Sequence, residues 1–396
     1  MARAAASPGS PARDALLALL SPSGQPAPEL GPAAWEQLDA MAVQHRLQPL
    51  LHHLTRECAS IPAEMRLRWK GAYRAAAASA LIVRAELDHT CGLLEAAGFR
   101  PIALKGAWLA WHAYPHPALR PMRDLDLLLD ETSVIAAYEV LLCEGYRATD
   151  TGELALADVI RLDKHLPALI SPRGISIELH QRLWEIAGRT DHAAPAVADA
   201  AIRARTIRQG GIAFLAPQDL LGHLIVHAVY DHRLDCGPLV LSDIAFLVEQ
   251  EEIDWPSFWA GARDGGWDRG ARLMLAMVRR AHPRAAGRLA FPADEGSADA
   301  LAEQSARLLL QDLSTRQSAG VFATLAAGGG GAFLRRIAGR RKAAKDGHAT
   351  VRDMSSEGGF RRWAGARLWR TLRDMARAEV RGQSRDLARL SRWLDT

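Results

Sequence analysis

The sequence predicts an α/β (α+β) chain, a small mixed-sheet core flanked by N-terminal and C-terminal helical regions. Three observations predict it. Short apolar runs at 102–104, 124–129 and 175–180 have strand character and are separated by helix-length segments. On both sides of that stretch apolar residues recur at helical spacing instead. The chain has 396 residues, 49% hydrophobic and 24% charged, enough for two or three domains with a sizeable core.

Residues 1–32 read as loosely ordered: 1–12 are rich in Ala, Pro and Ser, and 21–32 form a Pro/Gly-rich connection. Residues 33–98 read as a helical region with a break at Pro49, closed by Gly98 before the first core strand. The core spans 99–216. It holds the strand 102–104, a helix over 107–113, the strand around 124–129, a helix over 134–143, a short strand at 146–148 and a strand pair, 165–170 and 175–180, joined by a turn-rich link. Residues 217–325 read as a helical domain, with helices over 218–230 and 239–249 and a third capped by Asp254, with Pro256 just inside it. Residues 326–396 read as a glycine joint (328–331) and a basic helical tail.

The chemistry concentrates in Leu104-Lys105-Gly106 and in Arg120-Pro121-Met122-Arg123-Asp124-Leu125-Asp126-Leu127-Leu128-Leu129. A strand sends alternate side chains to opposite faces, so Asp124 and Asp126 share a face while Leu125 and Leu127 enter the core. Two carboxylates there repel one another and cannot both be hydrated, and a divalent cation removes the penalty. Hard oxygen ligands suit Mg2+ or Mn2+, which couple protein carboxylates to substrate phosphates. Asp-x-Asp pairs also occur without a ligand at exposed strand ends. Here, however, Lys105 and Gly106 stand at a strand-to-helix turn, where backbone N–H groups and an ammonium can receive an anion.

These residues, with Tyr114-Pro115, Gly145-Tyr146, Lys164-His165, Ile177-Glu178-Leu179-His180, Asp219-Leu220-Leu221, His223, His227, Asp243-Ile244 and Asp254-Trp255, resemble the bacterial family of uncharacterised nucleotidyltransferases. That family lies within the superfamily with a DNA polymerase beta-like catalytic core, and the resemblance covers roughly residues 30–285. It implies metal-dependent transfer of a nucleoside monophosphate from a nucleoside triphosphate, such as ATP, to an acceptor, releasing pyrophosphate. It implies Asp124, Asp126 and Glu178 as catalytic metal ligands, Glu178 being the third carboxylate from a later strand. Two ions roughly 4 Å apart would clamp the attacking and leaving oxygens. Lys105, Gly106, Arg120 and Arg123 would hold nucleotide phosphates. One departure stands out: the superfamily's Gly-Ser turn is Lys105-Gly106 here, followed by Ala107 with no hydroxyl.

Four histidines complete the candidates. His165 and His180 are expected to orient a carboxylate, bind substrate or serve structure. His223 and His227 stand at i and i+4, a spacing that binds zinc, lines a substrate pocket or is satisfied inside a helical bundle; the Glu of a zincin motif is missing. The acceptor is open: a small molecule, a sugar or a peptide, or tRNA as in toxin members of the superfamily. A non-catalytic nucleotide-binding scaffold is the reading from another class.

Four cysteines without C-x-x-C spacing argue against structural zinc and a disulfide framework. With no apolar run of bilayer length and no signal peptide, the expectation is a cytoplasmic protein without an integral membrane segment. Net charge is +4, yet residues 334–396 alone carry 17 Lys plus Arg against 7 Asp plus Glu, so the basic character is local. That tail is a candidate contact for an anionic partner, such as RNA, a membrane surface or an acidic protein.

Overall fold

The computed structural model describes residues 11–21, 29–149, 155–184, 196–292, 298–311, 316, 318–320, 323, 373–374 and 376–395. Seven strands form one mixed sheet: β1 Ile102–Ala103, β2 Asp124–Leu128, β3 Arg147–Ala148, β4 Leu169–Ile170, β5 Ser176–His180, β6 Ile207–Gln209 and β7 Ile212–Phe214. Their order is β3-β4-β5-β2-β1-β7-β6. The centre is the parallel pair β2 and β5, and β1 runs antiparallel to β2 and parallel to β7. Parallel neighbours need a long crossover. Residues 129–175 supply one between β2 and β5, including the helix Val134–Cys143.

Leu125, Leu127, Ile177, Leu179 and Phe214 are buried in the sheet, as period-two alternation requires. The long helix Ala63–Ala96 packs on Val134–Cys143 and is tied to the sheet side by a polar knot around the buried Glu86. In it the Tyr146 hydroxyl donates to Glu86 (2.6 Å) and Arg173 donates to the same carboxylate (2.9 Å). Burial opposes the charge on Glu86, but these donors together with Thr90 outweigh it and hold its carboxyl below the ordinary range.

Several expectations are corrected in detail. Pro11–Leu19 is a helix where a loosely ordered segment is expected, because Ala15, Leu16 and Leu19 find a core against the helix Pro32–Gln44. The strand expected over 165–170 is reduced to Leu169–Ile170, with His165 bridging His180 in isolation. Two expected helices change pitch. Gly106–Trp108 is α-helical before a π-turn at Leu109–Ala113, and Pro217–Val226 is α-helical before a π-turn at His227–Asp231. Such turns insert one residue per turn and re-aim the side chains that follow. Elsewhere Asp254 caps Trp255–Asp264 by accepting from the Ser257 N–H (3.1 Å).

The glycine joint 328–331 and the basic clusters at 335–342 and 361–362 lie outside the described residues. The terminal helix Ala378–Asp395 packs on Asp299–Leu308. Among the described residues no helix is long and apolar enough to cross a membrane, and all four cysteines are free thiols.

Buried histidines give stability a pH signature. Burial lowers His282 to about 4, and burial with Arg123, Arg13 and Arg46 nearby lowers His45 to about 4. The unfolded chain takes up protons below the ordinary value of 6.5 that the folded chain refuses until about 4. Stability therefore falls as pH drops through that window, by about 1.4 kcal/mol per pH unit for each histidine. Urea unfolding of wild type and His282→Leu between pH 7 and pH 5 should show a shallower decline in the variant; parallel declines would refute this origin.

Candidate metal and phosphate site

The register of β2 against β5 builds the site. Asp126 lies opposite Glu178 and Leu128 opposite His180, so the two carboxylates project side by side and the imidazole follows one pleat further along. Asp126 is only 6% exposed. His180 Nε2 is 2.8 Å from Asp126 Oδ1 and 3.6 Å from Glu178 Oε2. Donation to a carboxylate requires the proton on Nε2, which makes Nδ1 the lone-pair nitrogen of the neutral ring.

Lys105 closes the other side, its Nζ 3.1 Å from Asp126 Oδ2. It reaches there from an unusual backbone: φ is +46°, in the left-handed region that favours glycine. A non-glycine residue held so costs about 1–3 kcal/mol and needs over-determining neighbours. Those are the ion pair and the Leu104 N–H, which bonds to the Asp126 carbonyl (3.0 Å).

The acidic groups titrate apart. Burial opposes the charge on Asp126, yet Lys105 and His180 override it and hold that carboxyl well below the usual range. Glu178 is also lowered, chiefly by His180. Asp124 goes the other way, raised by burial and by the negative charges of Asp126 and Glu178. His180 is raised, because Asp126 and Glu178 outweigh the burial that lowers it.

Arg120 is committed inside the protein. It grips Asp243 through two hydrogen bonds (3.2 and 3.0 Å), and the Tyr114 hydroxyl donates to the same carboxylate (2.8 Å). Gly106 makes room for this clamp: a Cβ there would come within 2.6 Å of Arg120 Nη1 and 2.8 Å of Met122 Sδ. Arg123 is exposed on the β2 approach. Beside it stands Arg46, which sequence reading missed. Arg46 donates to the Pro121 carbonyl (3.1 Å), and burial with Arg123 and Arg120 nearby lowers its proton affinity. It comes from the N-terminal helical region, and no local pattern links it to residue 123.

The remaining histidines divide. His165 lies at the rim, its Nε2 3.9 Å from Glu178 Oε2 and its ring centroid 5.1 Å from that of His180. His223 and His227 are not in the carboxylate group; they line the adjoining helical wall with ring centroids 6.1 Å apart. Burial and the Lys105 charge hold both well below the ordinary histidine range, so both rings are neutral. Sequence reading also missed Asp231 as a partner of Lys164, an ion pair buried on both sides.

One group among the described residues has the compactness a cation needs. The ligand atoms of Asp126, Glu178 and His180 all lie within 4.8 Å of one another. Two carboxylate oxygens and one imidazole suit a divalent ion, the imidazole once its Nε2 gives up the proton it donates to Asp126. His180 thus stands where sequence reading expected a trio completed by Asp124.

A family model described as "Uncharacterised nucleotidyltransferase" matches residues 31–282, more than half of the chain. No curated protein and no solved structure matches.

Gly106→Ala should force the Arg120–Asp243 clamp or Met122 to shift, costing about 1–3 kcal/mol in urea unfolding. Gly71→Ala, in a helix where a Cβ meets nothing within 4 Å, should be neutral or stabilising. Equal effects at the two glycines would show that the clamp does not depend on the missing Cβ.

Proposed function

This chain belongs to the uncharacterised nucleotidyltransferase family, and from that premise we propose that it moves a nucleoside monophosphate from a nucleoside triphosphate to the hydroxyl of an acceptor. Pyrophosphate leaves, and the reaction depends on Mg2+ or Mn2+. The observation that carries this reading is the in-register pairing of Asp126 with Glu178 beside His180.

Asp126 and Glu178 are the residues that would hold the ion, with Asp124 completing the acidic face. A divalent ion bound there supplies charge stabilisation to the attacking and leaving oxygens. His180 orients the Asp126 carboxylate through its 2.8 Å contact. Lys105, paired with Asp126 at the strand-to-helix turn, offsets the charge of incoming phosphates. Arg123 and Arg46 extend that positive edge, while Arg120 acts as a positioning residue whose guanidinium is engaged by Asp243. The bond from the acceptor oxygen to the α-phosphorus forms as the bond to the departing pyrophosphate breaks, and the acceptor proton passes to Asp124, the carboxylate of this face that burial and its acidic neighbours make easier to protonate.

A second reading, a nucleotide-binding scaffold without turnover, is favoured by one feature. Lys105 and His180 engage both Asp126 oxygens. The two readings part in one assay with α-labelled nucleoside triphosphates, magnesium or manganese, and candidate acceptors. Asp126→Asn and Glu178→Gln should each lower label transfer about 100-fold or more. A chelator should abolish transfer and either metal should restore it. Nucleotide binding with no transfer in wild type would favour the scaffold, and transfer surviving both substitutions would exclude the mechanism.

The +10 charge of residues 334–396 supports an anionic partner, with tRNA as the acceptor in the alternative case. Replacing Arg335, Arg336, Arg340, Arg341 and Lys342 by Gln should then weaken RNA binding and flatten its dependence on salt. An unchanged salt slope would remove the tail from this role.

A further inference from the structure

Where the helical wall meets the end of β5, several buried polar atoms lack hydrogen-bond partners. Both ring nitrogens of His223 are among them, as are Nδ1 of His227, Nδ1 of His180 and Nε1 of Trp184. His223 is 1% exposed. The Trp184 ring lies 5.8 Å from His223, edge to face, and His223 lies 6.1 Å from His227. A buried polar group left unsatisfied loses its water without gaining a partner, so several side by side form a costly patch unless a ligand completes it. The rest of Pro217–Val226 has no such cost, since Leu220, Leu221, Leu224 and Ile225 pack as ordinary core.

The chemistry of the patch narrows its ligand. A metal is disfavoured, because Asp231, the carboxylate nearest His227 (3.6 Å), is already paired with Lys164. A phosphate or carboxylate is disfavoured as well. The basic side chains acting on this wall are Lys105 and Lys164, each facing an aspartate, and His232, whose ring lies 4.3 Å from that of His227 and which faces Asp235 in turn. What remains is neutral: two imidazoles, each with one N–H and one lone pair, and an indole N–H. Hydroxyl groups, which donate and accept together, match that set.

We propose that Trp184, His223 and His227 form an acceptor subsite that takes the hydroxyl-rich face of a neutral small molecule of the sugar or polyol class. Calling the ligand the acceptor rests on the transferase reading above; its binding does not. The subsite adjoins the end of β5 that carries the acidic face: the Gln181 N–H donates to the Lys164 carbonyl (2.9 Å), Lys164 pairs with Asp231, and Asp231 lies 3.6 Å from His227. A molecule seated there would thus bring its own hydroxyl to the acidic face.

The test uses the full chain labelled with 15N-histidine, with ring nitrogens assigned through His223→Asn and His227→Asn. Methyl glucoside, methyl galactoside, ribose and myo-inositol are titrated separately, with inorganic phosphate and acetate as charged probes. At least one hydroxylated probe should shift the His223 nitrogens saturably, and Trp184→Phe should weaken that probe about tenfold while the fold persists by circular dichroism. The proposal is overturned if all four leave His223 unmoved up to their solubility limits, or if phosphate or acetate saturates it instead. Because the readout needs no turnover, a sugar that binds a protein inactive in label transfer would retire the transferase reading and leave the subsite standing.

Discussion

Asp126 is a carboxylate in the middle of a sheet whose neighbouring positions are leucine, and burial there would ordinarily neutralise it. Lys105 on one oxygen and His180 on the other keep it charged. Both contacts reach across strands: Lys105 ends the segment led by β1, and His180 ends β5. The charge of one side chain therefore depends on the register of three neighbouring strands, and the strained backbone at Lys105 is sustained by the same contact. Any disturbance of the β1–β2–β5 alignment would be felt first as a buried, unpaired acid.

Around that centre, ionic clamps attach the helical regions to the sheet. Asp243 of Leu239–Gln250 draws in Arg120 and Tyr114 from the loop before β2, and Asp231 draws in Lys164 from the approach to β5. Both acids come from the segment after the sheet and meet cations from within it. Breaking one partner of such a buried pair leaves an uncompensated charge, so these contacts tie the position of the helical wall to the integrity of the acidic face. His223 and His227 stand on that wall, and the π-turn that begins at His227 sets where Asp231 falls.

Much of the site was legible from periodicity. Asp124-Leu125-Asp126-Leu127 alternates, and so does Ile175-Ser176-Ile177-Glu178-Leu179-His180; two such segments, once paired in parallel, put acids on a common face. The Asp254 cap and the helices around 134–143 and 239–249 were equally local, set by neighbours within a few residues. The helix at Pro11–Leu19 was not, because its short apolar stripe gains stability only against Pro32–Gln44. Nor were the two π-turns, which share hydrophobic periodicity with an ordinary helix.

The order of residues alone says which chemistry is available: two aspartates on one strand face, a glutamate and a histidine on another, and a lysine at a turn. It could do so because side-chain alternation is a property of each strand alone. Which of those groups meet was decided only in three dimensions. His180 rather than Asp124 completes the compact trio with Asp126 and Glu178, Arg120 turns to Asp243, and Arg46 arrives beside Arg123 from another region. Ion pairs and hydrogen bonds act across a few ångströms of space, whatever the separation along the chain.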